Sequence, residues 1–277
     1  MVKPTVSPAL RIQYLNRPEG RIAYDVQGAG PLVMLVPGMG DLRSAYRFVV
    51  PTLVAAGFTV VSTDVRGHGD SDNSFSTYGD VPTANDLMAL LTELGPAVIV
   101  GNSMAAGAAV IVAADHPGLV HGLVLIGPFV RQPASNTPLN RLFLRVLMAR
   151  PWAATAWRAY LPTLYAGTLP SDFTDYRDEV IRSIRRPGYA RAFSLTTRTR
   201  HDQAEMSLGR MNAPVLVVMG ESDPDFPDPT AEAEWIARAV NGRTEMIADA
   251  GHYPQSQQPE QVGRIISEFL TQVTDRA

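Results

Sequence analysis

Few residue types in this chain can serve as a nucleophile or a base near neutral pH, since it has no cysteine and five histidines. A serine hydroxyl becomes a competent nucleophile when a histidine takes its proton and a carboxylate fixes that histidine's tautomer. Ser103 is the leading candidate. It stands in Gly101-Asn102-Ser103-Met104-Ala105, after the apolar run Val98-Ile99-Val100 and before the small-residue stretch 105–114. That order predicts a strained strand-to-helix turn with Oγ exposed, and Gly101 and Ala105 are small because strand and helix cross closely there.

The base must come from His68, His116, His121, His201 or His252. His252, in Ala250-Gly251-His252-Tyr253-Pro254, follows the last predicted strand and precedes the last helix. Its loop therefore leaves the sheet at the carboxyl edge, where the turn presents Ser103. The others read more plainly. His68 sits in a structural turn, Arg66-Gly67-His68-Gly69-Asp70-Ser71; His116, before Pro117, caps carbonyls at a helix end; His121 is at the surface; His201 is in a helical insertion.

For the acid, Gly220-Glu221-Ser222-Asp223-Pro224-Asp225-Phe226-Pro227-Asp228 follows the apolar run 215–219. Asp223 lies nearest the strand end and Asp225 is its rival. Asp228 opens the next helix, where a carboxylate is favoured. The chain order Ser103, Asp223, His252 is the one that strand-to-helix nucleophile sites of this kind use. A tetrahedral intermediate also needs two N–H donors. One is the amide of Met104, directly after the nucleophile at a helix N-terminus. The other comes from Gly38-Met39-Gly40, where flanking glycines free the backbone to turn the Met39 amide inward. No Gly-Lys-Ser/Thr follows that loop, so a phosphate cradle is not expected.

The elements that must position these residues follow from patterning. Short β-rich runs at 22–26, 32–36, 59–63, 97–100, 123–126, 215–219 and 244–247 alternate with helix-like spacing at 46–55, 83–94, 105–114, 230–240 and 259–273. This predicts an α/β fold, a mostly parallel sheet with helices on both faces. The alternation breaks once. Residues 129–211 show no strand pattern, only helix-prone pieces punctuated by Pro138, Pro151, Pro162, Pro170 and Pro187. They are read as a helical cap inserted between two parts of one core, 1–128 and 212–277. Trp152, Trp157, Tyr160 and Tyr165 are expected to pack that cap onto the core.

Composition narrows the function classes. A chain of 277 residues with 45% hydrophobic content buries one large core. Without cysteine there are no disulfides and no zinc–thiolate sites, and no metal site is expected. Met1-Val2-Lys3-Pro4 lacks the basic stretch and apolar run of a secretory signal, and no apolar run reaches the roughly 18 residues of a membrane span, so a cytoplasmic protein with no membrane partner is expected. The formal net charge is −3, but residues 129–211 hold 13 Arg against six Asp and Glu, a net +7 that leaves −10 elsewhere. A solvated, arginine-rich helical surface is the first reading, and a basic cover drawing anions toward a cleft the second. Basic and aromatic residues do not interleave in a nucleic-acid motif, so no nucleic-acid partner is expected. A monomer or homodimer is.

Together these pieces resemble the α/β-hydrolase superfamily, in particular its serine esterase-like members with a helical cap. The resemblance rests on Val36-Pro37-Gly38-Met39-Gly40, Asp64-Val65-Arg66-Gly67-His68-Gly69-Asp70-Ser71, Gly101-Asn102-Ser103-Met104-Ala105, Gly220-Glu221-Ser222-Asp223-Pro224 and Gly251-His252-Tyr253-Pro254. It spans residues 20–270, the cap excepted. In two places the chain departs from the family: Pro37 stands where a His is frequent, and Ala105 where a Gly is. Pro37 cannot supply the imidazole that helps order the oxyanion loop. The resemblance implies a cofactor-free serine hydrolase that cleaves a carboxylic ester, thioester or lactone through an acyl-enzyme. Ser103 is the nucleophile, His252 the base, Asp223 its orienting acid with Asp225 the alternative, and Met39 and Met104 the oxyanion donors. Dehalogenase and epoxide-hydrolase relatives carry Asp in the nucleophile's place. The same triad also serves C–C bond hydrolysis, acyl transfer or perhydrolysis, and from another class the fold serves as a non-catalytic ligand receptor. Met39, Met104 and Asn102 are expected to shape the pocket for a small-molecule acyl substrate.

Overall fold

The computed structural model describes residues 11–132, 137, 142 and 145–274; Met1-Val2-Lys3-Pro4 and the break at Pro138 lie outside the described residues. The strands are β1 (Gln13–Arg17), β2 (Gly20–Gln27), β3 (Leu32–Val36), β4 (Thr59–Thr63), β5 (Ala97–Asn102), β6 (Val120–Ile126), β7 (Val215–Gly220) and β8 (Arg243–Ile247). They form one sheet in the order β1-β2-β4-β3-β5-β6-β7-β8. The first two pairings are antiparallel and the other five parallel. This is the α/β-hydrolase fold that the motifs imply. β1 was not expected. Its sequence is polar, with Leu15 alone buried, because an edge strand paired on one side needs little apolar surface.

Alternation along the inner strands divides the core into two layers. Val33, Leu35, Val98, Val100, Val124 and Ile126 face one layer. Met34, Val36, Ala97, Ile99, Leu123 and Leu125 face the other. Strands covered on both sides read as continuous apolar runs, which is why these were legible.

The helices are α1 (Val50–Ala55), α2 (Asp80–Leu94), α3 (Met104–Asp115), α4 (Ala153–Leu164), α5 (Phe173–Arg185), α6 (Tyr189–Thr196), α7 (Asp202–Ser207), α8 (Pro229–Ala239), α9 (Pro254–Gln257) and α10 (Pro259–Thr274). The expected helix at 46–55 is divided: a 3-10 turn covers Arg43–Tyr46, and α1 begins at Val50 with Pro51 in its first turn, where a missing N–H costs nothing. Asp228 caps α8 by accepting from Ala231 N–H at 2.9 Å, as expected. His116 is the C-cap residue of α3, through its backbone N–H to Val112 O. His121 is half-buried instead of exposed. Between β6 and β7 the described residues contain α4 to α7 and no strand. Trp157, Leu161, Phe173, Tyr176 and Phe193 from this segment join one of the two core layers. Trp157 and Tyr165 are buried as expected; Tyr160, 38% exposed, lies 5.7 Å from the Trp157 ring, and Trp152 is 47% exposed.

Register aligns the strand ends. Val36 pairs with Gly101, Asn102 with Ile126, Ile126 with Val218 and Gly220 with Ile247. The loops after β3, β5, β6, β7 and β8 therefore leave the sheet at one edge. The turn after β4 is braced from behind by Arg66, whose guanidinium grips Asp86 of α2 with two 2.8 Å bonds and donates to Thr77 O at 3.0 Å. Both partners are buried, at 7% and 3% exposure, so neither ion can be left to water. Removing one leaves an uncompensated buried charge. Asp86→Ala is expected to destabilise the fold by about 3–5 kcal/mol, read as a lowered urea midpoint by circular dichroism.

Candidate active site

Ser103 joins β5 to α3 at φ 57° and ψ −125°, a conformation that a non-glycine residue holds only under restraint. The restraints are visible. Its N–H donates to Ile126 O at 2.8 Å, and its carbonyl accepts from Ala106 N at 3.0 Å and Phe129 N at 3.3 Å. A Cβ on Gly38 would fall 2.7 Å from Ser103 Cβ, and one on Gly101 would meet Ala105 O at 2.8 Å. These glycines are the room the turn needs. Ten of the twelve residues of α3 are buried, which explains its run of alanines.

His252 lies in the loop after β8, 2% exposed, with Nδ1 2.8 Å from Asp223 Oδ2. Asp225 Oδ2 is 3.6 Å from the same nitrogen, and Asp225 Oδ1 accepts instead from Tyr160 Oη at 2.8 Å. Asp223 Oδ1 accepts the Asp225 N–H at 3.0 Å. The histidine is steered onto Asp223 from several sides. A Cβ on Gly127 would sit 3.0 Å from His252 Nδ1 and 3.2 Å from Asp223 Oδ2, and Phe129 lies 5.9 Å away, edge to face. Burial alone would lower the His252 pKa, but the Asp223 carboxylate, reinforced by Asp225 and Asp41, raises it to about 9. Donor atoms of Asp223, Asp225 and His252 fall within 4.8 Å of one another, a span that could hold a metal ion. The His252 contact to Asp223 and the Tyr160 contact to Asp225 account for the arrangement without one.

No hydrogen bond joins Ser103 Oγ to His252 among the described residues. The two are tied through Asn102, whose Nδ2 donates to Ile126 O at 3.0 Å and to His252 O at 3.2 Å. Asn102 is fully buried, so it holds the site together and does not line a pocket as expected. With Nδ1 on Asp223, the ring's free nitrogen is Nε2, the atom a base needs.

Met104 begins α3, where the first amides have no intrahelical acceptor. The loop after β3 runs against the same turn through Gly38. Its geometry depends on the expected structural turn after β4. His68, 3% exposed, donates from Nδ1 to Arg66 O at 3.0 Å and accepts the Gly40 N–H at Nε2, 2.9 Å away. Burial pulls its pKa down to about 4, so the ring is neutral and can accept. The imidazole that Pro37 cannot offer comes from the next loop. The Gly40 N–H is thereby committed to His68. Trp157 Nε1 of α4 donates to Gly40 O at 2.9 Å, fixing the loop from the other side.

Asp41 follows, 1% exposed, and its Oδ1 accepts from Tyr176 Oη of α5 and from Leu42 N–H. Burial pushes this carboxyl up to about 6 against those hydrogen bonds. The His252 loop has its own brace: Gly251 N–H donates to Gln257 Oε1 at 2.9 Å, and Gln257 Nε2 bonds Ala166 O and Thr168 O, each at 2.9 Å. Its source, α9, is four residues long, too short for periodicity to reveal. A cleft of about 470 Å³ elsewhere at the edge of the helical segment is lined by Arg43, Arg47, Arg182 and Arg186 together with Asp64 and Glu179. Its mixed charge does not make the one-sign field of a basic cover.

Residues 33–265 match the family model described as Alpha/beta hydrolase family. Among curated relatives, the chain is 28% identical over 266 residues to the 2-(acetamidomethylene)succinate hydrolase of Mesorhizobium japonicum, covering 91% of this chain and 92% of that protein. It is 26% identical over 288 residues to the 2-hydroxy-6-oxononadienedioate/2-hydroxy-6-oxononatrienedioate hydrolase of Paraburkholderia phymatum, covering 97% and 98%. Among solved structures, a thermophilic esterase from Thermogutta terrifontis aligns with a TM-score of 0.78 at 25% identity, over 95% of this chain and 99% of that one.

The buried ion pair makes a pH prediction. His252 is raised in the folded state above its ordinary 6.5, so the stability it contributes is complete below that value and is lost as pH rises through about 9. A histidine NMR titration is expected to show one imidazole with a midpoint near 9 in the native protein. Asp223→Asn is expected to move that midpoint downward, because the carboxylate is what overcomes burial.

Proposed function

The chain belongs to the alpha/beta hydrolase family, and on that premise we propose that it is a serine hydrolase cleaving a carboxylic ester, thioester or lactone. The observation that carries this reading is the buried 2.8 Å contact between His252 and Asp223, in a loop tied through Asn102 to the strained turn at Ser103. Ser103 Oγ attacks the substrate carbonyl while His252 Nε2 takes its proton. The hydrogen bond between the two forms as substrate binds, as catalytic contacts of this kind close up in the substrate complex. Asp223 holds the ring's orientation and stabilises the imidazolium. The oxyanion of the tetrahedral intermediate is met by the amides of Met39 and Met104. His252 then protonates the leaving group, and a water activated by the same ring releases the acyl group from Ser103. Residues 129–211 act as the cap that selects the substrate.

A second reading has its own support. The Paraburkholderia relative is named for a substrate without an ester, so its hydrolysis must break a different bond. C–C bond hydrolysis next to a ketone uses the same nucleophile and base, and product analysis separates the two. For the leading reading, p-nitrophenyl esters from acetate to laurate are the first substrates. Turnover is expected to vanish with Ser103→Ala and to fall by about 10⁴ in kcat with Asp223→Asn. A fluorophosphonate is expected to label wild-type Ser103 and leave Ser103→Ala unlabelled. Wild-type protein that resists labelling at high probe concentration would sink the proposal. Because His252 must be neutral to act as base, kcat/KM is expected to climb from pH 6.5 toward about 9.

A further inference from the structure

One helix of the covering segment touches three separate loops of the site. Trp157, Tyr160 and Leu164 are spaced three and four residues apart on α4, which brings them along one side of the helix. Trp157 Nε1 reaches Gly40 O in the loop of Met39, and Tyr160 Oη reaches Asp225 in the loop of Asp223. The Leu164 carbonyl, without an intrahelical partner at the helix end, accepts the His252 N–H at 2.8 Å.

The Tyr160 contact answers a difficulty that the site creates. His252 Nδ1 carries one proton and has two carboxylates beside it, Asp223 Oδ2 at 2.8 Å and Asp225 Oδ2 at 3.6 Å. A movement of under about 1 Å would bring Asp225 into hydrogen-bond range and pull the ring off its axis toward Asp223. Asp223 is fixed, with no exposed side-chain surface; the Asp225 side chain is 18% exposed and has room to move. Its other oxygen is held by the tyrosine at 2.8 Å.

Resting on the triad reading above, we propose that Tyr160 is a positioning residue: its hydroxyl restrains Asp225, so that Asp223 alone accepts the His252 proton. The choice of acid in this site is then made from outside the α/β core, by α4. Burial does not explain the contact, because Tyr160 is 38% exposed and its hydroxyl is aimed at a carboxylate of the catalytic loop.

The test compares Tyr160→Phe, Asp225→Asn and the double variant on p-nitrophenyl butyrate across pH. Tyr160→Phe removes one oxygen from a part-exposed ring, so folding is little affected. It is expected to lower kcat about tenfold with KM within about twofold, since the loss is one of orientation. The groups facing His252 are the carboxylates of Asp223, Asp225 and Asp41 and the rings of Phe129 and Tyr253. With Asp225 closer to the imidazolium, the acid limb of kcat/KM is expected to shift to higher pH. The double variant is expected to recover kcat to within about threefold of wild type, because the competitor has lost its charge, and to move the limb below its wild-type position. A Tyr160→Phe protein with unchanged kcat and limb, a change confined to KM, or a double variant as slow as Tyr160→Phe each overturns the proposal. The two readings fail differently. Unlabelled wild-type Ser103 overturns the serine-hydrolase reading and this inference with it, whereas labelling and turnover that ignore Tyr160 overturn this inference alone.

Discussion

The backbone of Ser103 is held in a region of φ/ψ space that costs about 1–3 kcal/mol for a non-glycine residue, and the surrounding structure exists in the form that sustains it. Its N–H is committed to Ile126 O on the neighbouring strand, so the register of β5 on β6 decides where the hydroxyl stands. A slip of one residue would exchange the two faces of β5 and lose the turn altogether. Gly38 and Gly101 clear the space on either side, and the small residues of α3 let that helix start directly above the sheet. Asn102 extends the constraint. It is fastened to the same Ile126 carbonyl and to the backbone of His252, so the peptide that strains the serine also locates the histidine.

Electrostatics near His252 follow from how little water reaches it. A buried imidazolium without a partner would be driven neutral, and it is Asp223 that reverses the direction. The carboxylates of Asp225, in the same loop as Asp223, and of Asp41, in the loop after β3, add to the same field, and their own surroundings differ. Asp225 is raised by burial, while Asp41 is raised to about 6 even with Tyr176 bonded to it. Three acids around one base give a site biased toward the protonated ring. Such an arrangement gains little stability over an apolar one, because desolvation offsets most of the attraction. Its value lies in holding charge and orientation where a reaction can use them.

How much was legible depended on whether a residue's role was local. Ser103 and the Asp223–Asp225 pair could be picked out as candidates because they follow strong apolar runs whose ends must lie at the carboxyl edge, and His252 because its loop comes between the last strand and the last helix. β1 escaped because an edge strand such as Gln13–Arg17 carries no apolar signal. Asp223 and Asp225 could not be separated by position, since two residues along a loop differ by less than the loop's freedom. It took the Tyr160 hydroxyl, 65 residues away in sequence, to distinguish their surroundings. His68 stands in the turn its motif predicts, and its further bond to Gly40, which spans 28 residues, left no local signal. Asn102 and Trp157 act through the same kind of long-range bond, fixed by the packed fold and not by any local pattern.

The helical segment illustrates what such bonds do when they are gathered on one element. Apolar packing is non-directional, so a cover held by it alone could slide while the loops beneath kept their shape. Here α4 grips those loops through directed contacts: Trp157 on Gly40 O, Tyr160 on Asp225, and the Leu164 carbonyl on the His252 amide. Each is worth about 0.5–1.5 kcal/mol net, so displacing the helix costs a few kcal/mol and frees three loops at once. Arg47 adds a fourth tie, from the loop region after β3 to Asp172 at the start of α5. Glycines at the contact points keep the fit close. A Cβ on Gly40 would strike the Trp157 ring at 2.7 Å, and one on Gly251 would strike Leu164 O at 2.4 Å. The helical segment and the loops are thus joined by directed bonds as well as by packing, and α4 lies against the loops of Met39, Asp223 and His252 at once.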